Sequence, residues 1–130
     1  MALQQRGARK DETESWRVGW TVENRGAESV EILSARLPHG QFKAALHKFA
    51  PPLILSGGMR AEFDSRVRCD EPPGLVTENA FVIFETLWRG APWRVFVRVR
   101  VVIDDTGTPA ATVQAITTQR AGFSRRPEAN

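Results

Sequence analysis

The side chains of this chain that are best suited to hold a metal are two histidines and one short run of cysteine and acids. The histidines are His39 and His47, and Cys69 is followed by Asp70 and Glu71. Zinc sites need several such ligands to converge, commonly as pairs at short fixed spacings, and no pair here has that spacing. We expect no metal site, two loop or surface histidines, and a buried cysteine, since free cysteine is among the most buried residue types.

Catalytic motifs are missing as well. Nucleophilic catalysis needs a Ser, Cys or Thr beside a histidine base and an orienting acid, and neither a nucleophile elbow nor a Cys/His signature is present. The paired acids Asp104 and Asp105 stand beside turn residues, where carboxylates cap turns. Without a phosphate-binding glycine loop or a dinucleotide fingerprint, we expect no cofactor, and a binding protein more than an enzyme.

A cluster of arginines is the strongest candidate for binding. Arg94, Arg98 and Arg100 alternate with apolar residues, so they share one face of a strand with Phe96. Guanidinium groups beside an aromatic ring suit a phosphate, a carboxylate or the acidic patch of a partner. The alternative is a solvated outer sheet face on which these arginines pair across strands with acids such as Glu85.

Tryptophans supply a second candidate surface. Trp16, Trp20 and Trp93 fall on inward-facing positions, which favours the core. Trp88 ends an apolar strand one short turn before Trp93, so this aromatic pair is predicted to line a rim of the fold where loops gather and ligands or partners bind.

Strands must position these residues, because the sequence has period-2 alternation throughout and little helical pattern. Residues 16–22 alternate apolar and polar, and Asn24-Arg25-Gly26 predicts a turn into a second strand at residues 30–37, as a hairpin. Residues 41–49 fit a helix and a strand equally well. Pro51-Pro52 places a short strand at a sheet edge, and residues 59–69 form one more strand.

The second half of the chain holds the clearest strands. Residues 79–88 are apolar on both faces, which is typical of a central strand with both faces covered. Residues 93–104 alternate over a length that predicts a bend or bulge, and residues 112–118 close the series. About seven strands without an internal repeat predict an all-β, two-sheet antiparallel sandwich.

At the level of architecture, this pattern resembles the bacterial immunoglobulin-like and fibronectin-like sandwiches. The resemblance rests on strand count, the turn at residues 24–26 and the two Pro-Pro crossings, and it covers about residues 15–118. The inter-sheet disulfide and the tyrosine corner of antibody domains are absent, since the chain has one cysteine and no tyrosine. The resemblance implies a fold and carries no functional residue.

Three segments are predicted: a flexible stretch at residues 1–14, the sandwich at 15–118, and a flexible basic tail at 119–130. The tail is alternatively a docking segment for a partner or a neighbouring copy. The net charge of +3 is concentrated there, with three arginines against one glutamate, so the body offers few phosphate contacts and nucleic acid is an unlikely partner.

The compartment follows from the cysteine count and the apolar runs. One cysteine, no signal-like apolar run near the start and no stretch long enough to span a bilayer predict a cytoplasmic protein without membrane contact. The favoured function is a non-enzymatic protein-binding or assembly module that attaches to a protein partner or to itself. The alternative is an accessory subunit or small enzyme that holds a small anionic ligand at the arginine face and the rim tryptophans.

Overall fold

The computed structural model describes residues 1–11 and 15–121, and of His39 the backbone alone. The described residues form eight strands and no helix. The strands are β1 (Ala2–Lys10), β2 (Trp16–Glu23), β3 (Val30–His39), β4 (Phe42–Leu55), β5 (Arg60–Val67), β6 (Val76–Trp88), β7 (Ala91–Ile103) and β8 (Pro109–Arg120). No described segment is therefore a helix that could cross a bilayer.

Two antiparallel sheets pack face to face. One has the strand order β1-β2-β5, and the other has the order β4-β3-β6-β7-β8. The predicted all-β two-sheet sandwich is confirmed, with β6 in the centre of the larger sheet and β4 at its edge. Residues 41–49 fitted a helix and a strand equally well in the sequence, and all of them except Gln41 belong to β4.

The eighth strand lies where the sequence predicts a flexible segment, so that prediction is wrong for residues 2–10. β1 pairs with β2 from Ala2, opposite Glu23, to Lys10, opposite Trp16. A bulge between Gln5 and Gly7 shifts the register. Because the bulge interrupts the period-2 alternation, the sequence does not predict this strand.

The predicted C-terminal boundary is also too early. Gln119 and Arg120 continue β8, paired with Arg94 and Trp93, and the amide of Ala121 donates a hydrogen bond to the carbonyl of Pro92. The rest of the predicted tail lies outside the described residues.

The predicted hairpin between the first two alternating segments is wrong. β2 pairs with β1 and β5, whereas β3 pairs with β4 and β6. The turn at residues 24–26 thus carries the chain from one sheet to the other. Strands of both sheets bury one face in the same core, so their alternation does not reveal which sheet they join.

The core lies between the sheets and is built on the inward positions of every strand. Its largest fully buried side chains include Trp20, Phe42 and Phe84, and the rings of Trp20 and Phe42 meet edge to face with centroids 6.4 Å apart. The predicted burial of Trp16 and Trp20 is confirmed, while Trp93 is half-buried.

Hydrogen bonds join the two sheets at both edges, through a side chain on one side and through the backbone on the other. On one side the Gln5 amide bridges to β8, with Nε2 donating to the carbonyl of Pro109 at 3.0 Å and Oε1 accepting from the amide of Ala111 at 2.6 Å. On the other side Lys43 and Arg68 exchange two backbone hydrogen bonds. These contacts satisfy backbone groups that sheet edges otherwise expose.

Candidate functional site

β7 carries five of the six predicted binding residues, and it divides them between its two faces. Arg94, Phe96, Arg98 and Arg100 point away from the core, because the alternate residues of β7 from Val95 onward are buried. Trp93 shares the inward face and meets Trp88 at the end of the sandwich. The structure therefore places the predicted residues on two separate faces of β7. That the arginines and the tryptophans together hold a small anion stays a prediction.

The outward arginines have partners on β6. Arg94 lies directly opposite Glu85 in the ladder, and its Nε donates to the Glu85 carboxylate at 2.6 Å. Arg100 Nε reaches Glu78 at 3.0 Å. Cross-strand pairing was the alternative interpretation of this face, and it accounts for the positions of these two side chains. Pairing also reduces the positive charge that the face offers to an anion.

Aromatic and aliphatic side chains separate those ion pairs on the outer face. Phe96 contacts Phe81 edge to face at 6.4 Å, and Ile83 is only 6% exposed although it lies on the outward side. Arg98 reaches the side-chain oxygen of Asn79 at 3.4 Å. The face therefore combines paired charges with half-buried aromatic rings.

A concave site lies at the end of the sandwich and is called here the rim cleft. Its volume is about 430 Å³, and its walls include Ala27, Val30, Thr86, Trp88, Trp93 and Val95. The rings of Trp88 and Trp93 meet edge to face with centroids 5.9 Å apart. Small-ligand and side-chain pockets in proteins are mainly apolar and aromatic with few polar groups, and this cleft has that character.

The connection from β2 to β3 forms one wall of the rim cleft, and Asn24 holds it. Asn24 is buried, and its Nδ2 donates to the carbonyls of Glu28 at 2.7 Å and Leu55 at 2.9 Å. Its Oδ1 accepts from the amide of Gly26 at 2.9 Å. The side chain thereby stabilises the turn and ties it to Leu55, the last residue of β4 in the opposite sheet.

Charged groups surround the tryptophans. Arg89 makes a two-pronged ion pair with Glu28, which lowers the pKa of the Glu28 carboxyl through the hydrogen bond from Arg89. The Arg89 guanidinium also lies 4.5 Å from the centroid of the Trp88 ring, and that of Arg120 lies 5.4 Å from the centroid of Trp93. Such stacking orders the rings.

Some residues in or beside the cleft are absent from the predicted binding residues. Glu28 lines the cleft, and Arg120, which stacks on Trp93, falls in the segment predicted to be a tail. Asn24 was recognised only as a turn residue. A signal did exist for Asn24, because an Asn-x-Gly turn often uses the Asn side chain to bond the backbone two residues on.

His47 and Asp104, which the sequence analysis considered as metal-binding or acidic candidates, lie outside both of these surfaces. His47 is exposed with its ring 4.7 Å from Phe49, and among the described residues no group of three or more His, Cys, Asp or Glu is placed to hold a metal. Asp104 accepts hydrogen bonds from the Thr106 hydroxyl and from the amides of Thr106 and Thr108, which lowers the pKa of its carboxyl. It caps the turn between β7 and β8, as its position beside turn residues suggested.

Cys69 is buried, and burial together with the charges of Glu71 and Asp70 raises the pKa of its thiol. Because the thiolate is the reactive form, we expect a disulfide reagent at pH 8 to modify folded protein at least about tenfold more slowly than denaturant-unfolded protein. Spectrophotometric thiol titration measures both rates. Equal rates in the two states would contradict the burial of Cys69.

Neither the family models, nor the curated proteins, nor the solved structures provide a match to this chain. The immunoglobulin-like resemblance therefore stays a prediction beyond the two-sheet sandwich itself.

Proposed function

We propose that this protein is a non-enzymatic protein-binding module whose rim cleft receives an apolar side chain from an extended segment of a partner protein. The observation that carries the proposal is the cleft itself, with a tryptophan pair in walls that are mainly apolar. Trp88 is 36% exposed, so a side chain seated beside it buries aromatic surface of both molecules. Tryptophans of this kind are enriched among residues that dominate binding energy.

The chemistry around the rim cleft favours one kind of segment. A volume of about 430 Å³ admits a large aliphatic or aromatic side chain. Glu28 neutralises Arg89, whereas Arg120 stacks on Trp93 and is not ion-paired to any described carboxylate. A carboxylate next to the apolar anchor would complement that charge. The proposed ligand is thus an apolar residue beside an acidic one.

Two further features are consistent with this function. Asp104 caps a turn and Cys69 is buried, so these two groups have surroundings that suit a structural role. The single cysteine suits a reducing compartment, so we propose that the module acts in the cytoplasm.

Selection from a display library of extended peptides tests the proposal. We expect the selected sequences to share an apolar anchor flanked by Asp or Glu. Trp88→Ala should weaken their binding at least about thirtyfold, the loss expected of a hot-spot residue worth about 2 kcal/mol. Fluorescence anisotropy with labelled peptides measures the affinities.

Ile54→Ala is the matched control, because Ile54 is a large apolar side chain with 64% exposure on the edge strand β4 and is not part of the rim cleft. We expect its affinity for the same peptides to equal that of the wild type. Peptides that bind Trp88→Ala as well as wild type, or a library without enrichment, would refute the proposal.

A second copy of the chain is the competing occupant, and light scattering at several concentrations identifies it. Self-association that Trp88→Ala abolishes would replace the partner segment by a neighbouring copy. A truncated variant shows whether the C-terminal segment is needed for such self-association. It should end at Ala121, because a chain that ends at Thr118 lacks two β8 residues that pair with β7.

A further inference from the structure

Three arginines stand side by side across the smaller sheet. Arg9 of β1 lies directly opposite Arg17 of β2, and Arg17 lies directly opposite Arg66 of β5. Arg17 and Arg66 point away from the core, since Trp16, Val18 and Val67 beside them are buried. Arg9 shares that outward face because it lies opposite Arg17. Directly opposed like charges destabilise a sheet, so this arginine row has a cost for folding.

A depression adjoins the arginine row. In the next row on the same face of the sheet, Gly7 lies opposite Gly19, and Gly19 lies opposite Asp64. A Cβ placed on Gly7 would meet no atom within 4 Å, so the space above it is open. The resulting cavity of about 290 Å³ is lined by these three residues, Ala8 and the guanidinium-bearing Arg6, Arg9 and Arg17.

The bulge in β1 adds the fourth arginine. Arg6 is the extra residue between Gln5 and Gly7, and its side chain lies across Gly19, where a Cβ would come within 2.8 Å of Nη2. Glycine at position 19 therefore lets Arg6 cross the strand. Bulges often redirect side chains in this way at functional sites.

The carboxylates that the structure describes around the depression do not balance its charge. Asp64 is shared, with one oxygen 3.2 Å from Arg6 and the other 3.8 Å from Arg17. Arg66 pairs with Asp11 at 3.3 Å, and Arg6 also lies 3.9 Å from Glu62. Arg9 makes no ion pair with any described carboxylate. Asp64 thus anchors two guanidinium groups at the depression, and among the described side chains an excess of positive charge is left.

We propose that this depression, called here the arginine depression, binds the phosphate group of a small phosphomonoester. Guanidinium groups present forked donors that match phosphate oxygens, and Arg6, Arg9 and Arg17 line the same depression as Gly7. A dianion there offsets the repulsion between Arg9 and Arg17. The phosphate is expected to outcompete a carboxylate, which offers fewer oxygens and less charge. The inference is independent of the rim cleft, which lies at one end of the sandwich between the sheets.

Titration with inorganic phosphate and with glycerol phosphate, at constant ionic strength set by sodium chloride, tests the proposal. Backbone amide shifts in ¹H-¹⁵N spectra of the full chain give the affinity and the location. We expect saturable shifts centred on Gly7 and Gly19, tighter binding of both phosphates than of acetate, and no change in these affinities in Trp88→Ala.

Gly7→Val is the sharpest variant, because it fills the depression without altering any charge and valine suits a strand. It should weaken phosphate binding at least about tenfold while the melting temperature is kept, and Arg9→Gln should cause a similar loss through a missing charge-assisted bond. Arg60→Gln is the matched control, since Arg60 is an exposed arginine of the same sheet outside the depression. Its affinity should stay within about twofold of wild type, as expected for an exposed charge.

Each result decides the proposal. Shifts that follow phosphate without saturation, or that spread equally over all exposed arginines, would overturn it in favour of general charge screening. Equal weakening by Arg60→Gln and Arg9→Gln, or unchanged binding in a folded Gly7→Val, would overturn it too. Wild-type protein that binds phosphate saturably but captures no peptide from the library would refute only the rim-cleft function.

Discussion

Replacing Trp20 by alanine is expected to lower the free energy of unfolding by about 3–5 kcal/mol, the range of aromatic-to-alanine changes in cores. Trp20 is fully buried on β2 and packs edge to face against Phe42 of the opposite sheet. Its removal opens a cavity between the sheets, which close-packed neighbours fill incompletely. Urea denaturation followed by far-ultraviolet circular dichroism measures the loss.

The indole N–H of Trp20 makes a phenylalanine variant informative. This donor is buried and has no hydrogen-bond partner among the described residues, whereas Trp16 Nε1 donates to the buried carbonyl of Cys69 at 3.1 Å. Trp20→Phe removes an unpaired donor and should cost no more than about 1 kcal/mol, while Trp16→Phe strands an acceptor and should cost about 2–3 kcal/mol. A loss larger in Trp20→Phe than in Trp16→Phe would contradict these contacts.

Asn24→Asp is expected to destabilise the fold by about 3–5 kcal/mol at neutral pH, as when a buried charge loses its compensating partner. The shapes are nearly the same, but a carboxylate oxygen would replace Nδ2 and face the carbonyls of Glu28 and Leu55. Because burial and these carbonyls disfavour the ionised form, the pKa of the new carboxyl would be raised in the folded state. The penalty is therefore full at neutral pH and shrinks as the pH falls through that raised pKa and the carboxyl protonates.

Asn79→Asp provides the matched control. Asn79 is exposed on the outer face, and its side-chain oxygen lies 3.4 Å from Arg98 Nη1. The same chemical change there should alter stability by less than about 1 kcal/mol, as for exposed charges in general. Equal melting temperatures of Asn24→Asp and Asn79→Asp at pH 7 would show that the Asn24 network does not hold the connection between the sheets.

Alternation along single strands made much of the fold predictable. The periods in β2 and β7 identified their inward faces, and the doubly apolar stretch in β6 identified the central strand. The length of β7 predicted an irregularity, and a register shift occurs between Arg98 and Val99. These features depend on local residue patterns, so one sequence suffices to read them.

The candidate sites were predictable only in part. Trp88 and Trp93 were expected to meet at a rim, and they line the rim cleft together. The sequence correctly placed Arg94, Arg98 and Arg100 on one face of a strand. The ion pair of Arg100 with Glu78 and the separation of the arginines from the tryptophans depend on strand register and direction. The arginine depression was not predicted, because the bulge at Arg6 interrupts the alternation of β1 and the sequence therefore did not place Arg6 and Arg9 on a sheet.

The sequence by itself determined the all-β class of this protein and the inward faces of most strands, because burial in the core selects apolar side chains at alternate positions along a strand. Tertiary structure alone decided which strands became neighbours. Arg9, Arg17 and Arg66 are aligned by two ladders, and Asn24 meets Leu55 across two sheets. Both arrangements depend on how segments that are distant in sequence pack against the common core. The alternation of one strand is the same whichever strand lies beside it, so it does not predict which strands pair.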